Sequence, residues 1–301
     1  MSAEKIRIMH NGRDILIERK KAVEKISTFL IFDIETVPDT EMVELAGNDK
    51  DREKLEGMRA EQDGESVAEN TFLQPHFHQI VAVSTLIIRP NENGDARLFE
   101  LDLVSVYGAE AALVKHFWQR FRDAMLVGKK SDGAVVIDAF PCLVSFNGRG
   151  FDMPVILART LKHASTLGGA DIQRIALYHD DFDKWENQTT NYRHAYSKYH
   201  VDLCREVTGK PMSLAAACHL AGITAKTGMD GKDVWKAYQD GKQREIAAYC
   251  AEDVLATAQL FSLWNEAFLG GRFVFPTRAE LAALSPKIGN MKLREDCLPG
   301  A

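Results

Sequence analysis

Residues 29–39, FLIFDIETVPD, constrain the fold more than any other stretch of the chain. The first residues of this run are mainly aromatic or β-branched, which is typical of a buried strand. Pro38 favours a strand end, because proline has no N–H to donate to a neighbouring strand. Side chains two positions apart on a strand point to the same face, so Asp33 and Glu35 should lie side by side. The sequence therefore predicts a buried strand over about residues 28–36 with two carboxylates on one face.

Asp33 and Glu35 are a candidate metal site. Two like charges held on one face repel each other unless a cation lies between them. Hard divalent cations such as Mg²⁺ take oxygen ligands, so a carboxylate pair can supply half of such a site. The alternative is a strand that ends in solvent with two ordinary surface acids. The pair alone favours this alternative.

The composition excludes several classes of protein. With 301 residues, 46% hydrophobic and 27% charged, the chain is long enough for one large domain or two smaller ones. No run reaches the roughly 18–20 apolar residues of a membrane span, and the first residues lack the apolar core of a secretory signal. The five cysteines are scattered without a C-x-x-C pair, so neither a disulfide framework nor a zinc site is expected. We expect a cytoplasmic protein without membrane contact.

The charge balance limits how the chain can contact nucleic acid. The formal net charge is −6 and the sequence pI is about 5.9. Proteins that coat duplex DNA through its phosphates are usually basic, so any contact with nucleic acid should be local. An acidic protein can still process nucleic acid when its site consists of carboxylates and bound cations supply the positive charge.

Two segments flank the predicted strand. Asn11-Gly12 separates two short apolar runs, so residues 1–27 are expected to form an N-terminal extension with a possible hairpin. Residues 39–71 are rich in charge, with a weak helical spacing of apolar residues. They indicate a solvated, partly helical insertion, to which we assign no chemistry. His76 and His78 follow without a cysteine or carboxylate partner nearby in sequence and are interpreted as structural.

Strands and helices alternate through the middle of the chain. Residues 79–88 are a strong candidate for a central strand, and 96–103 should return beside it as an antiparallel neighbour. An amphipathic helix is expected over residues 110–127. A second buried strand over 139–146 leads into a helix at 155–163. Strands that precede helices in this way indicate an α/β domain with a mixed sheet.

The later part of the chain holds two further candidate elements. Residues 177–200 interleave aromatic and basic side chains, which can stack bases and hold phosphates of a single strand, or can form a loop packed by its own aromatics. A long amphipathic helix over 245–267 carries Tyr249 and Asp253 one turn apart on one face. The alternative for this pair is an aromatic core residue near a surface acid. The tail from residue 269 shows little periodicity.

Three short motifs follow one another along the chain: Asp33-x-Glu35 at a strand end, Asn147-x-x-x-Phe151-Asp152 after a strand, and Tyr249-x-x-x-Asp253 on a late helix. Together and in this order they resemble the three-motif pattern of the DEDD superfamily of 3′–5′ exonucleases. The tyrosine of the third motif is typical of the DEDDy branch, whereas the histidine branch would need His where Ala248 stands. All four acids and the tyrosine of the pattern are present.

A narrower resemblance is carried by longer stretches, namely residues 32–38, 146–152 and 249–254, with support from 200–203 and 230–234. They are similar to the stand-alone bacterial exonucleases related to the proofreading domain of family B DNA polymerases. The resemblance covers roughly residues 28–265. It implies a ribonuclease H-like fold, in which α-helices flank a mixed central β-sheet.

The resemblance also implies a domain organisation. We expect an exonuclease domain over residues 28–268, with residues 1–27 as the extension and 269–301 as a tail packed on the domain or extending from it. No polymerase domain is expected in the chain, so any proofreading would act in trans. The sequence indicates no oligomeric state.

The resemblance implies a catalytic site with two divalent ions, Mg²⁺ or Mn²⁺. Such a pair, about 3.5–4 Å apart, can cleave a phosphodiester bond and requires a cluster of carboxylates. By the family pattern, Asp33 would bridge both ions, Glu35 and Asp253 would complete the first site, and Asp152 would support the second. Tyr249 would orient the attacking water, since a phenol with an ordinary pKa of about 10 is a poor general base.

Four further residues are expected to bind substrate. Asn147 resembles a position that hydrogen-bonds the terminal nucleotides, and Phe151 one that contacts a base, although core packing is the alternative for Phe151. Arg149 is a candidate phosphate contact or an ordinary surface arginine. His200 is placed in the same substrate-binding set, and with Asp202 it is expected to support the site from behind.

These inferences predict a 3′–5′ exonuclease that acts on single-stranded DNA ends and releases nucleoside 5′-monophosphates. One alternative is an exoribonuclease with the same ions, because sugar choice depends on contacts to the 2′-OH. Another is a catalytically silent nucleic-acid-binding module of the same fold, which the complete set of acids disfavours. A phosphodiesterase for other substrates is a more distant alternative.

Overall fold

The computed structural model describes most of the chain, namely residues 5–10, 13–18, 26–62, 64–65, 71–91, 98–129, 135–179, 192–194, 197–208, 212–224 and 228–292. For residues 5–18, 127–129, 135–138 and 208 it describes the backbone alone. No helix in this part of the chain is both long and apolar enough to cross a membrane.

The strands are β1 (Lys5–His10), β2 (Arg13–Glu18), β3 (Phe29–Pro38), β4 (His78–Pro90), β5 (Phe99–Gly108), β6 (Leu126–Lys129), β7 (Val135–Ala139), β8 (Cys142–Ser145), β9 (His200–Asp202) and β10 (Lys287–Met291). The helices are α1 (Thr40–Ala46), α2 (Asp49–Gln62), α3 (Glu110–Asp123), α4 (Asp152–Lys162), α5 (Gly169–His179), α6 (Leu203–Thr208), α7 (Leu214–Leu220), α8 (Val234–Gln239), α9 (Gln243–Leu269) and α10 (Arg278–Ala282). Short 3₁₀ turns stand at residues 75–77, 164–166 and 231–233.

Six of the described strands form one mixed sheet in the order β10-β5-β4-β3-β8-β9. β4 is antiparallel to both of its neighbours, whereas β3, β8 and β9 are parallel to one another and β10 is parallel to β5. β4 therefore runs against the other five strands. The predicted mixed sheet with flanking helices is confirmed, and with it the ribonuclease H-like fold.

Side chains of β3 alternate between two cores on opposite faces of the sheet. Phe29 and Ile31 pack with α7, α9 and α10 on one face. Leu30 and Phe32 pack with α3, α4 and α5 on the other. Each of these four is at most 1% exposed, and burying such a side chain stabilises the fold by about 1.5–3 kcal/mol. Because the alternation continues along the strand, the acids at its end face α9.

The end of β3 leads directly into the insertion, residues 39–71. Asp39 follows Pro38 and begins α1, where its carboxylate accepts the N–H of Met42. The prediction of a partly helical insertion is confirmed by α1 and α2. The insertion has a small core of its own, in which Val43 and Leu55 pack against two residues beyond it, Leu73 and Phe77.

Two predicted segments contain different elements from those expected. The second buried strand was expected over residues 139–146, but the strand of the main sheet, β8, covers only Cys142–Ser145, and Ala139 ends β7, which pairs with β6. Pro141 lies between them and has no N–H for a ladder. The tail was expected to show little regular structure, yet α10 packs on α9 and β10 extends the main sheet beside β5. In the N-terminal extension, β1 and β2 pair antiparallel, as a hairpin requires, while residues 11–12 between them lie outside the described part.

Candidate active site

Asp33 and Glu35 lie on the α9 side of β3, as strand alternation predicts. Glu35 is 9% exposed and Asp33 is half-buried. Helix α9 covers them, and Cys250 of this helix donates its thiol to the Oδ2 atom of Asp33 at 3.4 Å. The two carboxylates are therefore fixed beneath a helix and do not extend freely into solvent.

The donor atoms here suit a hard cation. Among the described residues, one ligand atom from each of Asp33, Glu35 and Cys250 lies within 4.8 Å of the others. Burial, and then the nearby acids, raise the pKa of the Cys250 thiol well above its usual range. The thiol is therefore protonated at neutral pH, which leaves the two carboxylates as ligands. Oxygen donors of this kind fit Mg²⁺ or Mn²⁺.

Asp152 joins the site from the first turn of α4. It is 5% exposed, and its Oδ1 atom accepts the backbone N–H of Ile34 at 3.2 Å. Burial, and after it the negative charges of Asp202 and Asp253, raise the pKa of the Asp152 carboxyl to about 7, although the backbone hydrogen bonds that it accepts lower it. A bound cation would offset the cost of holding these carboxylates close together.

Tyr249 and Asp253 complete the cluster from α9. Burial is the largest cause of the raised pKa of the Tyr249 phenol, and the charges of Glu35, Asp253 and Asp33 add to it. The phenol therefore stands among three carboxylates and keeps its proton at neutral pH. The structure thus brings together all five predicted catalytic residues, which come from β3, α4 and α9.

A buried row of hydroxyl groups attaches α9 to the sheet below the carboxylates. Ser84 of β4 lies opposite Asp33 in the ladder, and Ser105 of β5 lies opposite Ser84. Ser84 Oγ donates to Ser105 Oγ at 2.6 Å, and Ser105 Oγ donates to the carbonyl of Ala247 at 2.6 Å. Both serines have no exposed surface. The row fixes the turn of α9 that carries Tyr249.

The loop before α4 is shaped by Asp202. The Asp202 carboxylate accepts the backbone N–H of Asn147 at 2.7 Å and that of Arg149 at 3.0 Å. Asn147 has the left-handed φ of 63° and is exposed, and its carbonyl accepts the N–H of Phe151, the residue before Asp152. A Cβ atom on Gly148 would come within 2.5 Å of Ser145 Oγ, so this tight turn requires glycine. The expected supporting role of Asp202 thus has a defined structural basis.

Arg149 and His200 do not point toward a substrate. The Arg149 guanidinium donates to the carbonyls of Tyr192, His194, Ser197 and His200, so it holds the segment before β9. The phosphate contact predicted for Arg149 is therefore not supported. His200 is 3% exposed, with Nε2 2.9 Å from Ser145 Oγ. Its burial contradicts direct contact with substrate and favours the supporting role.

The aromatic stretch at 177–200 is partly a core element. Tyr178 and Tyr192 are buried, and their rings stack with centroids 5.6 Å apart. Both rings also contact Phe121 of α3. For these residues the alternative of internal packing is correct, and they do not stack bases. Residues 180–191 and 195–196, with Phe182, Lys184, Trp185 and Tyr196, lie outside the described residues.

Phe151 belongs to a cluster that the sequence motifs do not reveal. Its ring centroid lies 4.9 Å from that of His78 and 5.1 Å from that of Phe72. His78 is structural, as predicted: its Nδ1 atom is 3.0 Å from Thr36 Oγ1 and its Nε2 atom is 3.3 Å from the Leu73 carbonyl. Phe72 is 52% exposed. The one sequence signal for Phe72 is an aromatic residue next to a polar segment.

Comparison with protein families yields one match. The model of the family described as "Predicted 3'-5' exonuclease related to the exonuclease domain of PolB" matches residues 70–268. This range includes Asp152, Tyr249 and Asp253, while the strand with Asp33 and Glu35 precedes it. No curated protein matches the chain.

Two solved structures of exonuclease I are among those similar to this chain. One is titled "ExoI/SSB-Ct complex", with 12% identity and a TM-score of 0.29. The other is titled "Crystal structure of exonuclease I in complex with inhibitor BCBP", with 12% identity and a TM-score of 0.30. Each match covers 78% of this chain and 44% of the exonuclease I chain, so the chain spans less than half the length of these structures.

Proposed function

The chain belongs to the family of predicted 3′–5′ exonucleases related to the exonuclease domain of PolB, and from this premise we propose its substrate and mechanism. It is a nuclease of this 3′–5′ exonuclease kind. We propose that it hydrolyses phosphodiester bonds at the 3′ ends of single-stranded DNA and releases nucleoside 5′-monophosphates. The observation that carries the proposal is the convergence of four acids and Tyr249 from three separate elements.

We propose the DEDDy arrangement for the site. Asp33, Glu35 and Asp253 would hold one divalent cation, and Asp33 with Asp152 a second, as Mg²⁺ or Mn²⁺. When bound, such a pair lowers the pKa of an attacking water and neutralises charge that develops on the phosphate. The carboxylate donors around Asp33 and the raised pKa of Asp152 support this assignment, since both features fit a cluster completed by cations.

The chain's own groups would orient the reactants. The Tyr249 phenol is protonated, because burial and the acids around it raise its pKa, so its Oη–H is a hydrogen-bond donor and not a base. The exposed side chain of Asn147, in the turn before Asp152, can hydrogen-bond the terminal nucleotide. Asp202 and the Gly148 turn keep Asn147 in this position.

The proposed preference for single strands follows from burial. Glu35 and Asp152 are at most 9% exposed, and α9 covers the cluster. A scissile phosphate would have to enter this recess with its nucleotide unpaired, so a duplex end would first have to fray. Fraying costs the stacking energy of the duplex end, and a single-stranded end does not have this cost.

The experiment that tests the proposal is digestion of a 5′-labelled single-stranded DNA and of its RNA counterpart, with Mg²⁺, with Mn²⁺ and with EDTA. A ladder that shortens from the 3′ end and requires metal is expected, with faster loss of DNA. Asp253→Asn should abolish it, while Glu252→Gln, an exposed acid one residue away on α9, should retain it. If the RNA strand were degraded faster than the DNA strand, the proposed substrate would be RNA and not DNA. No cleavage, with binding retained, would favour the silent binding module.

A further inference from the structure

Phe72 is held at the edge of the candidate site. The next residue, Leu73, is 1% exposed and packs in the core of the insertion, whereas Phe72 points outward and is 52% exposed. Lys54 of α2 donates its Nζ to the Phe72 carbonyl at 2.9 Å. The insertion therefore fixes the backbone of an exposed aromatic ring that the catalytic motifs do not include.

The Phe72 ring belongs to an aromatic cluster that we define as Phe72, His78 and Phe151. The three ring centroids lie 4.9–5.2 Å from one another. Phe151 directly precedes Asp152, and His78 contacts Thr36, the residue after Glu35. Along the chain the cluster is thus adjacent to two of the proposed metal ligands, Asp152 and Glu35, and Phe72 is its most exposed member.

The charges around the site make base stacking the expected mode of binding. The chain has a net charge of −6, and the guanidinium of Arg149, the nearest predicted phosphate contact, is bound to four carbonyls. This guanidinium is therefore engaged within the protein and does not bind a phosphate. Stacking of bases on aromatic rings needs no positive charge and tolerates any base sequence, as an exonuclease requires.

We propose that Phe72 is a substrate-binding residue that stacks, together with Phe151, on one of the last two nucleobases of the 3′ end. This inference rests on the proposed function and names a contact that the sequence motifs do not contain. The alternative is that Phe72 only covers Phe151 and His78 and never touches substrate.

A chemical double-mutant cycle tests the proposal. Wild type and Phe72→Ala are compared on an oligothymidylate and on the same strand with an abasic residue at the terminal or the penultimate 3′ position. On the normal strand we expect Phe72→Ala to raise KM by about 5- to 150-fold, the range for loss of one stacked base, with little change in kcat. On the strand that is abasic at the stacked position, the KM values of wild type and variant should differ by less than about 2-fold. Phe72→Trp should restore the wild-type KM.

Phe268→Ala is the matched control. Phe268 is 67% exposed on α9, fifteen residues beyond Asp253, which is about 22 Å along the helix. Its substitution should leave KM unchanged. A wild-type KM in Phe72→Ala, or an equal loss on normal and abasic strands, would overturn the proposal.

A binding measurement separates this proposal from the proposed function. If the wild-type enzyme cleaves no strand, the proposed function fails by itself, and the same cycle is then measured by fluorescence anisotropy of labelled strands. If Phe72→Ala binds the normal strand more weakly than the wild type does, but binds the abasic strand equally well, the result would still support stacking. Equal binding by wild type and Phe72→Ala would reject it.

Discussion

Ile34 donates its backbone N–H to the Oδ1 atom of Asp152 at 3.2 Å. The donor lies between Asp33 and Glu35 in the chain, so one hydrogen bond connects the carboxylate of α4 to the strand that carries the other two. Because the donor belongs to the backbone, changing the Ile34 side chain does not remove it, and Asp152→Asn keeps an oxygen acceptor. The spacing between these acids is therefore a property of the sheet and of the first turn of α4.

Asp152→Asn should separate catalysis from stability. The amide keeps the acceptor for Ile34 but removes the charge that a cation requires, so activity should fall at least about 100-fold. In the folded state the Asp152 pKa is raised to about 7 from an ordinary 3.8, so the carboxyl favours folding below pH 3.8. That contribution is lost as the pH rises through 7.

Thermal unfolding in EDTA between pH 5 and pH 8 measures this effect. As the pH rises across this range, the unfolding free energy of the wild type should fall by up to a few kcal/mol relative to that of Asp152→Asn. Mg²⁺ at pH 8 should then raise the Tm of the wild type more than that of the variant. If the stability of the two proteins changed with pH in parallel, burial would not raise the pKa of Asp152 in the folded state.

Asp202→Asn should disturb the loop that carries Asn147. The carboxylate accepts two backbone N–H groups of this loop, and the amide has only one oxygen to offer. We expect a loss of about 1–3 kcal/mol in unfolding free energy and a 10- to 100-fold loss in kcat/KM. Glu206→Gln, an exposed acid on α6, is the control and should change neither quantity. Full activity in Asp202→Asn would refute the positioning role.

The sequence predicted the parts of the site that follow from local rules. Asp33 and Glu35 share a face because a strand has a period of two, and Tyr249 and Asp253 share one because a helix has a period near four. These rules do not depend on the rest of the chain, so the shared face of each pair was predicted correctly. The helix after β8 was expected over residues 155–163, but α4 begins at Asp152 itself, directly after the turn that follows β8.

The sequence did not predict contacts that depend on distant segments. Arg149 was a candidate phosphate contact or an ordinary surface arginine, but its partners are carbonyls more than forty residues away. His200 was expected near substrate, but the short strand β9 buries it against Ser145. Phe72 was not among the predicted site residues, because its neighbours in the cluster come from other elements.

Ser105→Ala tests whether the buried hydroxyl row positions α9. The substitution leaves the Ala247 carbonyl and the Ser84 hydroxyl without their bond to Ser105, so unfolding free energy should fall by about 1–3 kcal/mol. Because the row lies below Tyr249, kcat should also fall, by about 10-fold.

Ser262→Ala supplies the matched control at the other end of α9. Ser262 Oγ also makes a buried hydrogen bond to a carbonyl, that of Pro276 at 3.0 Å. This variant should lose similar stability but keep kcat. Equal rate losses in the two variants would mean that Ser105 acts through stability alone. Both rates are measured at saturating Mg²⁺, well below the Tm of each variant.

Arg159→Met should be the most destabilising of these substitutions. The Arg159 guanidinium is 2% exposed and binds Asp39 and Glu110, each at 2.7 Å, so it joins α4 to the end of β3 and to α3. Its removal leaves two buried carboxylates without this partner, at a cost of about 3–5 kcal/mol. Arg59→Met, which breaks an exposed pair with Glu56, should cost at most about 1 kcal/mol.

The interactions of Arg159 with Asp39 and Glu110 also predict how the free energy of unfolding changes at low pH. Burial raises the pKa values of Asp39 and Glu110, but hydrogen bonds from Lys162 and Arg159 to Asp39, and from His163 and Arg159 to Glu110, more than offset it, so both pKa values are lowered. The stabilisation is therefore complete above the ordinary values of 3.8 and 4.5 and is lost as the pH falls through the lowered ones. In urea unfolding, the difference in unfolding free energy between wild type and Arg159→Met should have its full value at pH 7 and a smaller value at pH 3. A gap that stays constant with pH would mean that Arg159 stabilises by packing and not by its charge.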